Sequence, residues 1–184
     1  MSTDEDFGSA PDPAALRKLA QKALSSAEYR RKFWRLDYYE PYPAQRRFHE
    51  LGATAKERCL MASNRSGKTY SGAHEVAFHL SGLYPPDWKG KRFRKPVKGW
   101  AIGETSLVTR DIMQAQLCGE PGNAELFGTG AIPLECFVGK PTLARSVADA
   151  YDTITVRHVS GGLHRHRRHR LRRHRRVRLE PWRV

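Results

Sequence analysis

The chain has 184 residues and a hydrophobic content of 39%, enough for one domain with a core and too few for two large ones. It contains no run of about 18 apolar residues that would span a membrane, and its acidic start, Met1-Ser2-Thr3-Asp4-Glu5-Asp6, lacks the basic-then-apolar order of a secretory signal. No membrane association and a cytoplasmic location are therefore expected.

The net charge of +14 is unevenly placed. Residues 164–184 carry ten Arg and one Glu, which leaves 23 basic and 18 acidic residues for the rest of the chain. The pI of 10.1 therefore describes chiefly the tail and does not by itself make the body a nucleic-acid-binding domain. Cys59, Cys118 and Cys136 are odd in number and without C-x-x-C spacing, and read as reduced, mostly buried thiols.

In chain order, residues 1–12 are acidic and rich in Ser, Pro, Gly and Asp, the composition of a disordered terminus. Pro13 suits the first turn of a helix running to Leu24, and Ser26 is placed to cap a second, basic helix over 27–36. The aromatics of that second helix, Tyr29, Phe33 and Trp34, are expected to pack inward, with its charges on the solvent side. Tyr38-Tyr39-Glu40-Pro41-Tyr42-Pro43 is an extended entry segment that leads to a short helix over 44–51. Residues 13–42 thus form a helical N-terminal segment ahead of the domain proper, residues 43–162.

Cys59-Leu60-Met61 reads as a short buried strand, and residues 70–80 repeat their apolar positions at helical spacing. After an irregular stretch from Gly82 to Trp88 comes a basic patch, Lys89, Lys91, Arg92, Arg94, Lys95 and Lys98, with Trp88, Phe93 and Trp100 among or beside it. Such a patch suits a DNA backbone as well as it suits a solvated loop. A second strand is expected over 97–103, with Trp100, Ala101 and Ile102 buried, then a helix capped by Thr105 or Ser106 and running to Leu117. A Gly-rich loop over 119–130, a short edge strand near 132–138, a helical turn over 143–150 and a half-buried strand over 152–159 complete the domain. Strand, loop, helix, strand, helix, strand is the order of a parallel α/β sheet with flanking helices, here incomplete.

The chemistry concentrates in residues 62–69, Ala-Ser-Asn-Arg-Ser-Gly-Lys-Thr. A loop between a strand and a helix N-terminus aims backbone N–H groups and the positive end of the helix dipole at one anion. In that arrangement the backbone of Ser63, Asn64, Arg65, Ser66 and Gly67 cradles phosphates, Lys68 reaches the β- and γ-phosphates, and the Thr69 hydroxyl holds Mg²⁺. Ala62 stands where the usual G-x-x-x-x-G-K-[ST] pattern has its first Gly, which is tolerable if the backbone there needs no positive φ. His74-Glu75 with His79 imitates a zinc pair, but five residues separate the histidines, about 140° round a helix, so they do not converge on a metal.

Together with Tyr42-Pro43-Ala44-Gln45, the loop, His79-Leu80, Gly82-Leu83-Tyr84-Pro85, Trp88 to Phe93, Gly99-Trp100-Ala101, Gly128-Thr129-Gly130 and residues 150–162, the chain resembles the large terminase subunit of tailed bacteriophages over roughly residues 38–162. The resemblance implies a P-loop NTPase fold that binds ATP and Mg²⁺ and, in the complete protein, couples hydrolysis to translocation of double-stranded DNA into the prohead. It implies that Gln45 reads the adenine edge and that Arg65, with Lys68, acts on the γ-phosphate during phosphoryl transfer. It also implies the phage portal and small terminase subunit as partners, a homo-oligomeric ring as working form, and the bacterial cytoplasm as location.

Large terminases continue into an acidic hydrolysis motif and a nuclease domain, which residues 163–184 do not resemble. Whether the chain turns over ATP is therefore left open by the sequence. The Arg/His-rich tail is expected to be disordered, either as an arm that meets nucleic acid or as the product of a shifted reading frame, in which Lys is scarce while Arg and His abound. The alternative function is accordingly a nucleic-acid-binding protein that uses this tail and keeps a non-catalytic nucleotide loop.

Overall fold

The computed structural model describes residues 13–161 and 175–181. The acidic terminus 1–12 and the remainder of the Arg/His-rich tail lie outside the described residues.

One helix, α1 (Pro13–Phe33), replaces the two expected, because nothing at Ser25-Ser26 breaks the ladder. Its residues 21–32 are exposed, and Tyr29 lies at the surface with its hydroxyl donating to Glu135 Oε1 at 2.9 Å rather than packing inward. Helix α2 (Pro43–Leu51) opens with Pro at its first position, where the missing N–H costs nothing. Helix α3 (Lys68–Ser81) is the central element. Ala73, Ala77, Phe78 and Leu80 face the core, and Gly82, in the left-handed conformation, ends the helix by donating its N–H to Phe78 O at 2.8 Å. A side chain at Gly82 would also meet His158, whose Nε2 lies 2.6 Å from the position of an added Cβ.

A second long helical stretch runs as α4 (Ser106–Val108), a π segment (Thr109–Gln114) and α5 (Ala115–Cys118). Thr105 caps it by accepting from Val108 N at 3.2 Å, as expected. The π segment turns two buried polar side chains toward the sheet. Thr109 Oγ1 accepts from Gly103 N at 3.0 Å, and Gln114 bridges to the start of β3, donating to Asp149 O and accepting from Tyr151 N, each at 2.7 Å.

The sheet has four strands in the order β1-β4-β3-β2: β1 (Trp100–Gly103), β2 (Thr142–Leu143), β3 (Tyr151–Val156) and β4 (Arg175–Pro181). Strand β4 runs parallel to β1 and antiparallel to β3, and β2 is antiparallel to β3, so the sheet is mixed. The chain is α/β as expected, but the expected parallel P-loop sheet is not the sheet that forms.

Three differences account for this. Cys59-Leu60-Met61 is no strand: Cys59 is exposed and Met61 is 87% exposed, since three apolar residues without a neighbouring strand leave their backbone groups unpaired. Strand β1 lies at the sheet edge, and Trp100, expected in the core, is 73% exposed. Residues 175–181, expected within a disordered tail, pair on both sides instead. Their register sets Val177 against Ile154 and Leu179 against Ala101, the period-2 apolar positions that a strand requires.

Elsewhere, residues 134–136 form a 3₁₀ turn and Phe137 a single bridge to Val156 where an edge strand was expected, and β2 occupies the start of the expected helical turn. The core joins α3, α5, Ala131, Ile132, Ile154 and Val156. Cys118 and Cys136 are buried within it as expected, and burial pushes the Cys136 thiol up to about 11.

Candidate phosphate-binding site

The loop of residues 62–69 closes onto the N-terminus of α3, as its composition predicts. Gly67, the residue before the helix, has φ 76°, the left-handed conformation that glycine adopts without a Cβ penalty. Arg65 takes the same region at φ 62° despite its side chain, which costs of order 1 kcal/mol and marks a constrained apex. Ala62 is not among the residues with positive φ, so the missing first glycine imposes no strain.

Lys68 folds back across the loop, its ammonium donating to Ala62 O at 2.5 Å and Ser63 O at 2.7 Å. Ser66 Oγ donates to Ser63 O at 2.8 Å, which tightens the same turn. Asn64 and Arg65 form the exposed tip, and Thr69 lies half-buried in the first helical turn. The arrangement therefore concentrates one ammonium, a left-handed glycine and the unpaired N–H groups of a 14-residue helix at one point, a geometry that attracts a multiply charged anion.

Gln45 joins the loop from α2. It is only 5% exposed, and its Nε2 donates to Ser66 O at 3.2 Å and Gly67 O at 3.4 Å while its Oε1 accepts from Tyr42 N at 3.0 Å. The structure thus brings Gln45 and all of residues 63–69 into one neighbourhood, with Gln45 touching the loop's backbone.

Behind the loop lies a buried polar network that the sequence reading missed. His49 Nδ1 donates to Glu75 Oε2 at 3.0 Å, its Nε2 accepts from Ser71 Oγ at 3.1 Å, and the Tyr39 hydroxyl donates to Ser71 Oγ at 3.0 Å. The other Glu75 oxygen accepts from Arg58 Nη2 at 2.8 Å and lies 3.5 Å from His79 Nε2. Burial alone would push the Glu75 carboxyl up, but hydrogen bonds from His49, His79 and Arg58 outweigh it and hold the group well below the usual carboxylate range. The network fixes α3 against α2. Its one sequence signal is that Ser71, His74, Glu75 and Phe78 share a helix face, so a carboxylate stands where the pattern calls for core.

His74 and His79 are occupied separately. His74 stacks on Tyr39 with ring centroids 4.3 Å apart, and its Nδ1 donates to Tyr70 O, while His79 Nδ1 accepts from the Tyr84 hydroxyl at 3.0 Å.

The basic patch is divided. Arg92 is committed to the carbonyls of Pro85, Pro86 and Trp88 and lies over the Tyr84 ring, which makes it a brace for the 84–93 turn. Lys91, Arg94, Lys95 and Lys98 are exposed. Lys91 shares a cleft with Lys56 and Arg58, and Lys98 shares the adjoining apolar one with Trp100; His79 and Phe93 line both. Among the described residues no helix is long and apolar enough to cross a membrane.

Over 109 residues the chain is 42% identical to a protein of Salmonella phage P22 described as "Terminase, large subunit". The match covers 53% of this chain and bears out the resemblance drawn from its residues. It takes in 22% of that protein, so the chain spans about a fifth of the relative's length. No family model matches the chain, and no solved structure does.

Proposed function

We propose that this chain, similar over half its length to a phage terminase large subunit, is the triphosphate-binding portion of a DNA-packaging ATPase. The observation that carries the reading is the loop itself. A left-handed Gly67 turns the chain into α3 and Lys68 projects its ammonium across the loop mouth. The terminase similarity supports ATP over other phosphate ligands and double-stranded DNA as the eventual substrate.

In this reading the N–H groups at the start of α3 and the Lys68 ammonium hold the β- and γ-phosphates. Lys68 exchanges its contacts with Ala62 O and Ser63 O for phosphate oxygens. Arg65, exposed at the loop apex, reaches toward the γ-phosphate, where a cation neutralises charge that develops in phosphoryl transfer. Thr69 presents a hydroxyl suited to Mg²⁺, with the remaining ligands supplied by phosphate oxygens and water. In a complete protein of this kind the portal, the small terminase subunit and further copies in a ring are the partners, and the host cytoplasm is the setting. The exposed Lys91, Arg94, Lys95 and Lys98 form the surface best suited to a DNA backbone.

Equilibrium titration of the 184-residue chain with MgATP tests the reading. Saturable binding that weakens roughly 10- to 100-fold in Lys68→Ala is expected, the range for loss of one charge-assisted hydrogen-bonding group. Binding that Lys68→Ala leaves unchanged would sink it. The alternative, a nucleic-acid-binding protein working through its Arg-rich tail, loses ground because residues 175–181 of that tail are a central strand rather than a free arm.

A further inference from the structure

We infer that a groove beside α3 and β1 is a docking site for Asp4-Glu5-Asp6-Phe7 of a second copy of this chain. The groove has two ends of different chemistry, which share His79 and Phe93. Val76 and Leu80 of α3 line the apolar end with Val97 and Trp100, the last 73% exposed on the edge strand. Lys56, Arg58 and Lys91 line the basic end. Arg58 is paired with Glu75, but Lys56 and Lys91 are exposed, and among the described residues neither meets a carboxylate. No residue of the 62–69 loop lines either end, so the inference stands apart from the triphosphate reading.

The ligand that fits is an anion joined to a large apolar group. A phosphate backbone would satisfy the basic end alone and leave Trp100 in water. An acidic peptide that carries an aromatic residue covers both, because its carboxylates meet the lysines while its ring buries against Trp100. Residues 4–6 are the one place in the sequence where acidic residues adjoin, and Phe7 follows them directly. Residues 1–12 hold four acidic residues and no Lys or Arg, opposite in sign to the +14 of the whole chain. Extended, residues 4–7 span about 10 Å, which suits two adjoining clefts. Arg94 and Lys95 line neither end and stay open to nucleic acid.

Reach decides whose groove the arm enters. Residues 21–32 of α1 are exposed, and the side-chain hydrogen bonds of this helix to other segments go to Glu135 and Asp37, outside the groove. From Pro13 back to Tyr29, where α1 touches Glu135, the helix is about 24 Å long at 1.5 Å per residue. From Pro13 to Phe7 the chain reaches at most about 21 Å. An arm folded back along its own helix therefore stops short of Tyr29, whereas one extended from the tip of α1 meets a neighbouring molecule.

The full chain carrying p-benzoylphenylalanine in place of Phe7 tests this. It is mixed in equal amounts with isotope-labelled wild-type chain and irradiated. The expected product has twice the chain mass and joins the unlabelled arm to residues 76–100 of the labelled chain. Its yield should fall severalfold when the labelled chain carries Lys56→Glu and Lys91→Glu, and again at 1 M salt, where the screening length is about 3 Å. Crosslinks within one chain, crosslinks confined to residues 164–184, no crosslink, or a yield indifferent to charge reversal would overturn the inference.

Hydroxyl-radical oxidation of Trp100 gives a second reading that needs no unnatural residue. An arm seated about two-thirds of the time leaves Trp100 open for the remaining third, so releasing it raises oxidation about threefold. That rise is expected in Asp4→Asn/Glu5→Gln/Asp6→Asn and, for wild type, on dilution. Oxidation unchanged in the triple variant would overturn the docking, and a rise in that variant with none on dilution of wild type would overturn the second copy as its source.

Discussion

His74 is 1% exposed, and burial holds its imidazole down to about 4. Its Nδ1–H donates to Tyr70 O while Nε2 is buried without a partner, so the folded chain keeps the ring neutral. A base whose folded pKa lies below its unfolded value of 6.5 is destabilising to protonate: the neutral ring is fully accommodated above pH 6.5, and stability is lost as pH falls from there toward 4. The loss amounts to about 3 kcal/mol across that window. Glu75 extends it downward, since its depressed carboxyl contributes stability above its ordinary value of 4.5 that disappears as pH falls through the folded value. Urea unfolding at pH 7 and pH 5 should therefore show a marked drop for the wild-type chain and a much smaller one for His74→Phe, which keeps a ring against Tyr39. Equal drops would assign the acid sensitivity to other groups.

Helix α3 serves as the platform of the loop because its far side is pinned. Glu75 is the pin, joining His49 of α2 and Arg58 of the connecting segment at 3.0 and 2.8 Å. Glu75→Gln removes the charge and leaves Arg58 without its counterion, a change that costs roughly 3 kcal/mol when an ion pair is buried. Chemical denaturation should record that loss together with weaker polyphosphate binding, since the junction that slackens is the one that seats Gln45 beside Gly67. A Glu75→Gln chain as stable as wild type would show that the network is not what holds α2 to α3. Helix α3 was legible from the helical spacing of its apolar residues, and α2 from the proline-stiffened segment that leads into it. The network was not, because His49, Glu75 and Arg58 are separated in sequence and ordinary in type. A fold alone brings them together.

For the molecule as a whole, the sheet depends on its last described segment. Strand β4 lies between β1 and β3 and pairs with both, so β1 has no other strand partner among the described residues. A chain ending at Gly161 should melt at lower temperature, and the amides of Tyr151–Val156 and Trp100–Gly103 should lose protection from hydrogen exchange while those of α3 keep more of theirs. Unchanged protection in β1 and β3 would show that the pairing contributes nothing to stability.

The sequence by itself determined the parts whose physics is local: a loop that closes on a helix, an Ala62 that needs no positive φ, a Thr105 cap and the terminase likeness of the segments around them. Each depends on residues within a few positions of one another, and their geometry follows from backbone sterics and nearby hydrogen bonds. Only the tertiary structure decided that the 59–61 triplet pairs with no strand among the described residues, that an arginine-rich segment supplies the centre of the sheet, and that the Gln45 amide contacts the loop backbone. Those outcomes depend on which distant groups meet, and a buried hydrogen bond or strand pairing is worth its free energy only once both partners are in place.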